Sequence, residues 1–191
     1  MSTEFNYWKW DNFYDKKQIK TIHDLIQDKF YGKEDPELAA SPYADGTPRK
    51  VVDTQLVGYR DIEHGIRDII DEAYTCCLEN FGYVVKPPTN DDLHYNTYTA
   101  KHKSKYDYHK DASRNPYHDY KLTLLINLSP REYEGGDFFI LADGGECQVP
   151  ELKSPGSVIA LTGGIYHKVT PITKGVRRTL THFMKGPAWR W

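Results

Sequence analysis

Beyond Pro87 and Pro88 the chain is written as short β-type runs separated by Gly, Pro and Asp turns. This punctuation restricts its fold more than any other feature. "LHYNTYT", "YDYHKDA", "KLTLLINLS", "GDFFILA", "CQVPEL", "SVIALT", "IYHKVTPI" and "RRTLTHFM" follow one another in that order. Runs of this length and spacing, rich in β-branched and aromatic residues, predict antiparallel strands closing into a sandwich or barrel.

The preceding part reads differently. "YDKKQIKTIHDLIQDKF" predicts a helix in which Asp15 caps the N-terminus and Gln18 reaches back, a capping box. Ile19, Ile22, Ile26 and Phe30 then line one face. "YGKEDPELAASPYADGTPRK" is rich in Pro, Gly and small residues and reads as a loop, and "VVDTQLVGYR" as a strand. "IEHGIRDIIDEAYTCCLENF" predicts a second helix, with Ile66, Ile69, Ile70, Ala73, Tyr74, Cys77, Leu78 and Phe81 at i, i+3, i+4, i+7 spacing. Cys77 thus reads as core. Helices ahead of a β block pack on one face of a sheet within a single α+β domain. The expected division of that domain, 1–191, is helical support to about residue 85 and a β core from about residue 86.

The 191 residues suit one self-sufficient core. A formal charge of −2 gives no global pull toward nucleic acid or an anionic membrane. Three cysteines, two of them adjacent, argue against a disulfide framework and for a reducing compartment. There is no Cys-x-x-Cys pair, so a zinc ribbon is excluded. The start lacks the pattern of a signal peptide, and no stretch is apolar for the length of a bilayer span. The expected location is the cytoplasm, with no membrane or nucleic-acid partner.

Within "YDYHKDA", strand alternation places His109 and Asp111 on one face and Lys110 on the other. A carboxylate facing an interior needs a strong partner, and a divalent metal is one. His167, after a Gly-Gly turn and before Pro171, supplies a third ligand. Two histidines and a carboxylate are the facial set of non-haem Fe(II) oxygenases, although the same set also fits zinc. Ten residues later, Arg177 opens the next strand. An interior arginine calls for an anion, and its planar fork suits a carboxylate. Thr179, Thr181 and Phe183 share its face; Arg178 is expected to be solvated and His182 to point away from Arg177.

In its C-terminal half the chain resembles the 2-oxoglutarate/Fe(II)-dependent oxygenases, in particular the prolyl 4-hydroxylase-like branch. The family pattern is Tyr…Tyr-x-x-His-x-Asp, a strand, a Gly-Gly strand, a Gly-led strand, then His-x-Val-x-Pro-Val-x-x-Gly-x-Arg. Here it is matched by "YTAKHKSKYDYHKDA", "KLTLLINLS", "YEGGDFFIL" and "PGSVIALTGGIYHKVTPITKGVRR". The resemblance covers about residues 93 to 184. It implies a double-stranded β-helix (a jelly-roll, cupin-like core) with bracing helices in front. It implies iron held by His109, Asp111 and His167, and 2-oxoglutarate held through its C5 carboxylate by Arg177. Tyr98, Thr123, Asn127 and Thr181 would complete the co-substrate pocket, with Asn127 standing where many prolyl hydroxylases have a tyrosine. Tyr106, Tyr108 and Phe183 are the candidate substrate contacts; His102 and His118 are off the triad's spacing.

The implied reaction is C–H hydroxylation using Fe(II), 2-oxoglutarate and O2, with ascorbate as a further cofactor and succinate and CO2 as products. Related halogenases replace the carboxylate ligand by a small residue, so Asp111 argues for hydroxylation. The implied substrate is a prolyl residue of a peptide or protein. The alternatives are a free amino acid or small metabolite, or a catalytically silent jelly-roll binding module, which predicts a broken triad. The chain departs from the family between Tyr98 and Tyr106. There "TAKHKSK" is longer than usual, lacks the family's glycine and carries Lys101, Lys103 and Lys105.

Overall fold

A computed structural model describes residues 6–34, 42–111, 117–142 and 145–188. In chain order the N-terminal elements are β1 (Tyr7–Trp10), α1 (Lys16–Ile26), β2 (Phe30–Lys33), β3 (Lys50–Val51), β4 (Asp53–Gly58) and α2 (Tyr59–Glu79). Then follow β5 (Asp92–Thr99), β6 (Lys105–His109), β7 (His118–Asn127), β8 (Glu134–Gly135), β9 (Phe138–Ala142) and β10 (Gly145–Gln148). The last four are β11 (Val158–Thr162), β12 (His167–Val169), β13 (Ile172–Lys174) and β14 (Val176–Pro187).

α1 starts where its capping box dictates: the Gln18 N–H donates to Asp15 Oδ1 at 2.7 Å and the Asp15 N–H to Gln18 Oε1 at 2.9 Å. Ile19, Ile22 and Ile26 are buried. Phe30 is not on this helix; it opens β2 opposite Val57. α2 buries Ile66, Ile69, Ile70, Ala73 and Cys77, whereas Leu78 is 61% exposed and Phe81 lies past the helix end.

Among the described residues all strand pairs are antiparallel. Seven strands form one sheet in the order β1-β11-β7-β14-β5-β4-β2, and five form another in the order β10-β9-β12-β6-β3. Four strands thus come from the part of the chain read as helical support, and they join both sheets. β2 extends from the end of the first predicted helix into the stretch read as loop, and β3 begins at that stretch's last residue, Lys50. They form because β4 and β6 offer unpaired edges, a tertiary opportunity that local composition does not report.

Alternation divides the seven-stranded sheet into two faces. Leu122, Leu124 and Ile126 of β7 and Leu180 and Met184 of β14 point to the helices, where they pack with the isoleucines of α1 and α2. Each such side chain contributes about 1.5–3 kcal/mol on burial. The opposite face looks toward the second sheet, and Leu125, Ile159, Leu161, Phe138, Ile140 and Val169 fill part of that space. The remainder is a cavity of about 400 Å³. No helix among the described residues is long and apolar enough to cross a membrane.

Candidate metal centre

His109 ends β6 and faces His167, the first residue of β12, across the ladder. Their rings lie 4.1 Å apart, centroid to centroid. Asp111 lies two residues past the end of β6 rather than within the strand. It still turns inward: Oδ1 is 3.8 Å from His109 Nε2 and Oδ2 is 3.6 Å from His167 Nε2. One ligand atom from each residue lies within 4.8 Å of the other two.

The histidine tautomers suit a metal. His109 Nδ1 donates to the Asp107 carbonyl at 2.9 Å and His167 Nδ1 to the Ile165 carbonyl at 3.1 Å. With Nδ1 protonated, each Nε2 keeps its lone pair for the centre. Burial, reinforced by the neighbouring His167, pushes the His109 pKa down to about 3, so the ring is neutral at physiological pH. The Thr123 hydroxyl donates to Asp111 Oδ2 at 2.6 Å and orients the carboxylate. The donor set, the tautomers and the mutual approach all fit a divalent cation with N and O preference.

Arg177 is the largest fully buried side chain, 1% exposed, and lines the same cavity. It sits opposite Tyr98 in the β14–β5 ladder, its guanidinium 5.1 Å from that ring's centroid. Its Nε has no hydrogen-bond partner, and among the described residues no carboxylate pairs with it. A buried, uncompensated guanidinium is stable only if an anion reaches it. The stem of Arg177 passes close to Gly136, at φ +63°, where a Cβ would lie 2.2 Å from Ile172 Cδ1 and 3.2 Å from Arg177 Cδ.

The other expected contacts divide. Tyr98 lines the cavity, and burial pushes its phenol up to about 12, so it stays protonated beside Arg177. Thr181 also lines it; its oxygen accepts from Asn96 Nδ2 at 3.1 Å, which leaves its own proton to donate. Thr123 reaches the cavity, but its hydroxyl is given to Asp111. Asn127 does not reach it: its amide donates to the carbonyls of Leu152 at 2.8 Å and Lys153 at 3.1 Å, anchoring the turn before β11. An amide fully occupied by backbone cannot serve a co-substrate.

Of the substrate candidates, Phe183 and Tyr106 line the cavity and Tyr108 does not. Tyr106 lies flat on His109, with ring centroids 3.5 Å apart at an interplanar angle of 8°. Tyr108 donates to Glu146 on the outer surface, under Lys168. The cause is a bulge. His109 pairs with His167 and Tyr106 with Val169, so three steps on β6 match two on β12. The extra residue puts His109 and Tyr106 on one face and turns Tyr108 out.

His182 does point away from Arg177, stacking on Tyr59 under the helices. Arg178 is half-buried rather than solvated; its N–H donates to Ser129 Oγ and its Nε is buried without a partner. In the atypical linker Lys103 adopts φ +47°, the left-handed conformation a glycine would take more easily. Lys101, His102 and Lys103 are exposed, while Lys105 pairs with Asp107 at 2.8 Å.

Sequence reasoning missed Glu34, Lys50, Leu56, Asp92, His94 and Asn96, all of which line the cavity. His94 and Asn96 precede Tyr98 at period 2 on β5, a signal that was available. Glu34 and Lys50 lie at the two ends of the apparent loop, and no local signal marks them.

Residues 93–185 match the family described as the 2OG-Fe(II) oxygenase superfamily. No curated protein matches the chain by sequence. Among solved structures, a Pseudomonas putida prolyl-4-hydroxylase is similar at TM-score 0.67 and 15% identity, over 96% of this chain and 94% of that one. A Trichoplax adhaerens prolyl hydroxylase, solved with a hypoxia inducible factor oxygen degradation domain peptide fragment, is similar at 0.65 and 15%, over 95% and 84%. The non-heme alpha ketoglutarate dependent carbocyclase of nogalamycin biosynthesis is similar at 0.60 and 13%, over 93% and 78%. At these identities the likeness is one of fold, a double-stranded β-helix that hosts more than one reaction.

Proposed function

We propose, on the premise that residues 93–185 make this chain a member of the 2OG-Fe(II) oxygenase superfamily, that it hydroxylates an amino-acid C–H bond. The overall reaction is R–H + 2-oxoglutarate + O2 → R–OH + succinate + CO2. The observation that carries this reading is a single cavity holding both the His109–Asp111–His167 cluster and the buried, uncompensated Arg177.

Iron(II), held by His109 Nε2, an Asp111 oxygen and His167 Nε2, would supply open coordination positions and the oxidising power for the C–H bond. The protein's own groups do the rest. The Asp107 and Ile165 carbonyls keep protons on Nδ1 of the two histidines. Thr123 holds one Asp111 oxygen, which favours a fixed carboxylate orientation. Arg177 takes the C5 carboxylate of 2-oxoglutarate, with the Tyr98 and Thr181 hydroxyls as further donors. Phe138, Leu125 and Val169 give the cavity an apolar wall, which would help to keep water from the reacting centre.

Two presentations of the substrate are compatible with the reaction. A prolyl residue in a peptide is supported by the fold likeness to prolyl hydroxylases, one of them solved with a peptide. A free amino acid is favoured by the charged cavity wall of Glu34, Lys50 and Asp92.

Anaerobic addition of Fe(II) and 2-oxoglutarate should develop a visible metal-to-ligand charge-transfer band. Arg177→Ala should raise the 2-oxoglutarate concentration for half-saturation about 100-fold, the loss of a charged bidentate contact. A wild-type protein with no band, or an Arg177→Ala variant with unchanged affinity, refutes the reading.

A further inference from the structure

The cavity wall away from Arg177 carries charges that the iron and 2-oxoglutarate sites do not use. Glu34, just past β2, and Lys50, at the start of β3, form an ion pair whose side chains are 19% and 8% exposed. β2 is the outermost strand of the seven-stranded sheet and β3 that of the five-stranded sheet. The pair therefore spans the two sheet edges. Lys50 Nζ lies 4.9 Å from the Tyr106 ring centroid, and that ring lies against His109. One aromatic ring separates the pair from the metal centre. His94 Nδ1 is 3.9 Å from Glu34 Oε1. With Asp111 given to the metal and Arg177 to the co-substrate, the cavity keeps two carboxylates, Glu34 and Asp92, and the ammonium of Lys50; Lys110 borders it with its ammonium over the exposed Tyr166 ring.

A largely buried ion pair is a poor way to join two sheet edges, because desolvation offsets most of its attraction and apolar side chains would serve as well. Facing a cavity, it has a second use: it can exchange partners. Glu34 can turn to an incoming ammonium while Lys50 turns to an incoming carboxylate. The exchange leaves no charge unpaired only if the ligand brings one of each sign. An internal peptide residue offers neutral amides and gives the pair no reason to open. A net anion or cation would satisfy one partner and strand the other.

Resting on the hydroxylase reading above, we infer that the substrate is a free α-amino acid in its zwitterionic form. Its carboxylate pairs with Lys50 and its ammonium with Glu34. Its side chain lies against Tyr106 and against Phe183, which stacks on Tyr120 at 4.6 Å.

The test measures succinate release by the Fe(II)-loaded protein at saturating 2-oxoglutarate. Probes are the free proteinogenic L-amino acids, the N-acetyl and amide forms of any that respond, and the tripeptide Gly-Pro-Gly. At least one free amino acid should stimulate turnover, and blocking either of its charges should lower kcat/KM about 100-fold or more. Glu34→Gln and Lys50→Met should each raise its KM about 10- to 100-fold, with the charge-transfer band still titrating at the wild-type 2-oxoglutarate concentration. The reversed pair, Glu34→Lys with Lys50→Glu, should restore the wild-type Tm but not kcat/KM. Stimulation by Gly-Pro-Gly but by no free amino acid overturns the inference. So does a formed band with no amino acid responding, or a reversed pair that recovers kcat/KM. Absence of the band in the wild type overturns the hydroxylase reading itself.

Discussion

The two faces of the seven-stranded sheet are built by the same strands and could hardly differ more. On β14, Leu180 and Met184 point to the helices while Arg177, Thr179, Thr181 and Phe183 point into the cavity. On β7, Leu122, Leu124 and Ile126 alternate with Thr123 and Leu125 in the same way. The helix face is closed by packing. The cavity face holds a buried cation and hydroxyls, and looks across at the His109–Asp111–His167 cluster on the second sheet; packing explains none of them. Stability should therefore reside on one face and chemistry on the other, and substitutions should separate the two.

The largest effect belongs to the cavity face. His167→Ala removes one of three ligands and should lower iron-dependent succinate release at least about 1,000-fold, with iron content after gel filtration falling in parallel. The Tm of the metal-free protein should change little; a large drop would mean that the cavity face also carries the fold. On the helix face the reverse is expected. Leu124 is fully buried, and Leu124→Ala should cost about 3 kcal/mol in urea unfolding while Fe(II) and 2-oxoglutarate still titrate normally at low temperature.

Acid should attack the helix face through His182. Burial depresses its folded pKa to about 4, against 6.5 for an unfolded histidine. The unfolded chain binds the extra proton first, so this stabilisation is complete above pH 6.5 and is lost as pH falls toward 4. The loss amounts to at most about 3 kcal/mol. Urea midpoints followed across that window should fall less steeply in His182→Phe than in the wild type, the remaining slope belonging to His109 and the other buried histidines; an unchanged slope in the variant would remove His182 from the account. The smallest effect is expected from Thr123→Val, which removes the hydroxyl from Asp111 but keeps the shape. Iron affinity should weaken about 10-fold with Tm held within a few degrees, whereas unchanged affinity would make that hydrogen bond incidental.

Much of this was legible in the chain. The capping box of Asp15 and Gln18 and the apolar stripe of α2 from Ile66 to Cys77 are local, and each formed as its spacing requires. The strands after Pro88 announced themselves by period-2 alternation, and alternation on β14 put Arg177, Thr181 and Phe183 on one face. Where alternation failed, a nonlocal cause intervened. Tyr106 and Tyr108 should share a face, but the bulge against β12 parts them. Asn127 has the right parity for the cavity, yet carbonyls of the turn before β11 take its amide. Leu78 has the helical spacing of a core residue, but no element covers it.

What the sequence determined by itself was therefore what depends on short-range periodicity and on residue type. That includes the two helices, the antiparallel strands, and a candidate metal-binding and anion-binding set ordered as His109, Asp111, His167 and Arg177. Tertiary structure decided which edges would recruit β2 and β3, and so brought Glu34 and Lys50 together across the cavity from sixteen residues apart. The physical reason is that edge pairing and ion pairing depend on distance in space. A stretch of Pro, Gly and charged residues carries no periodic signal that reports such distances.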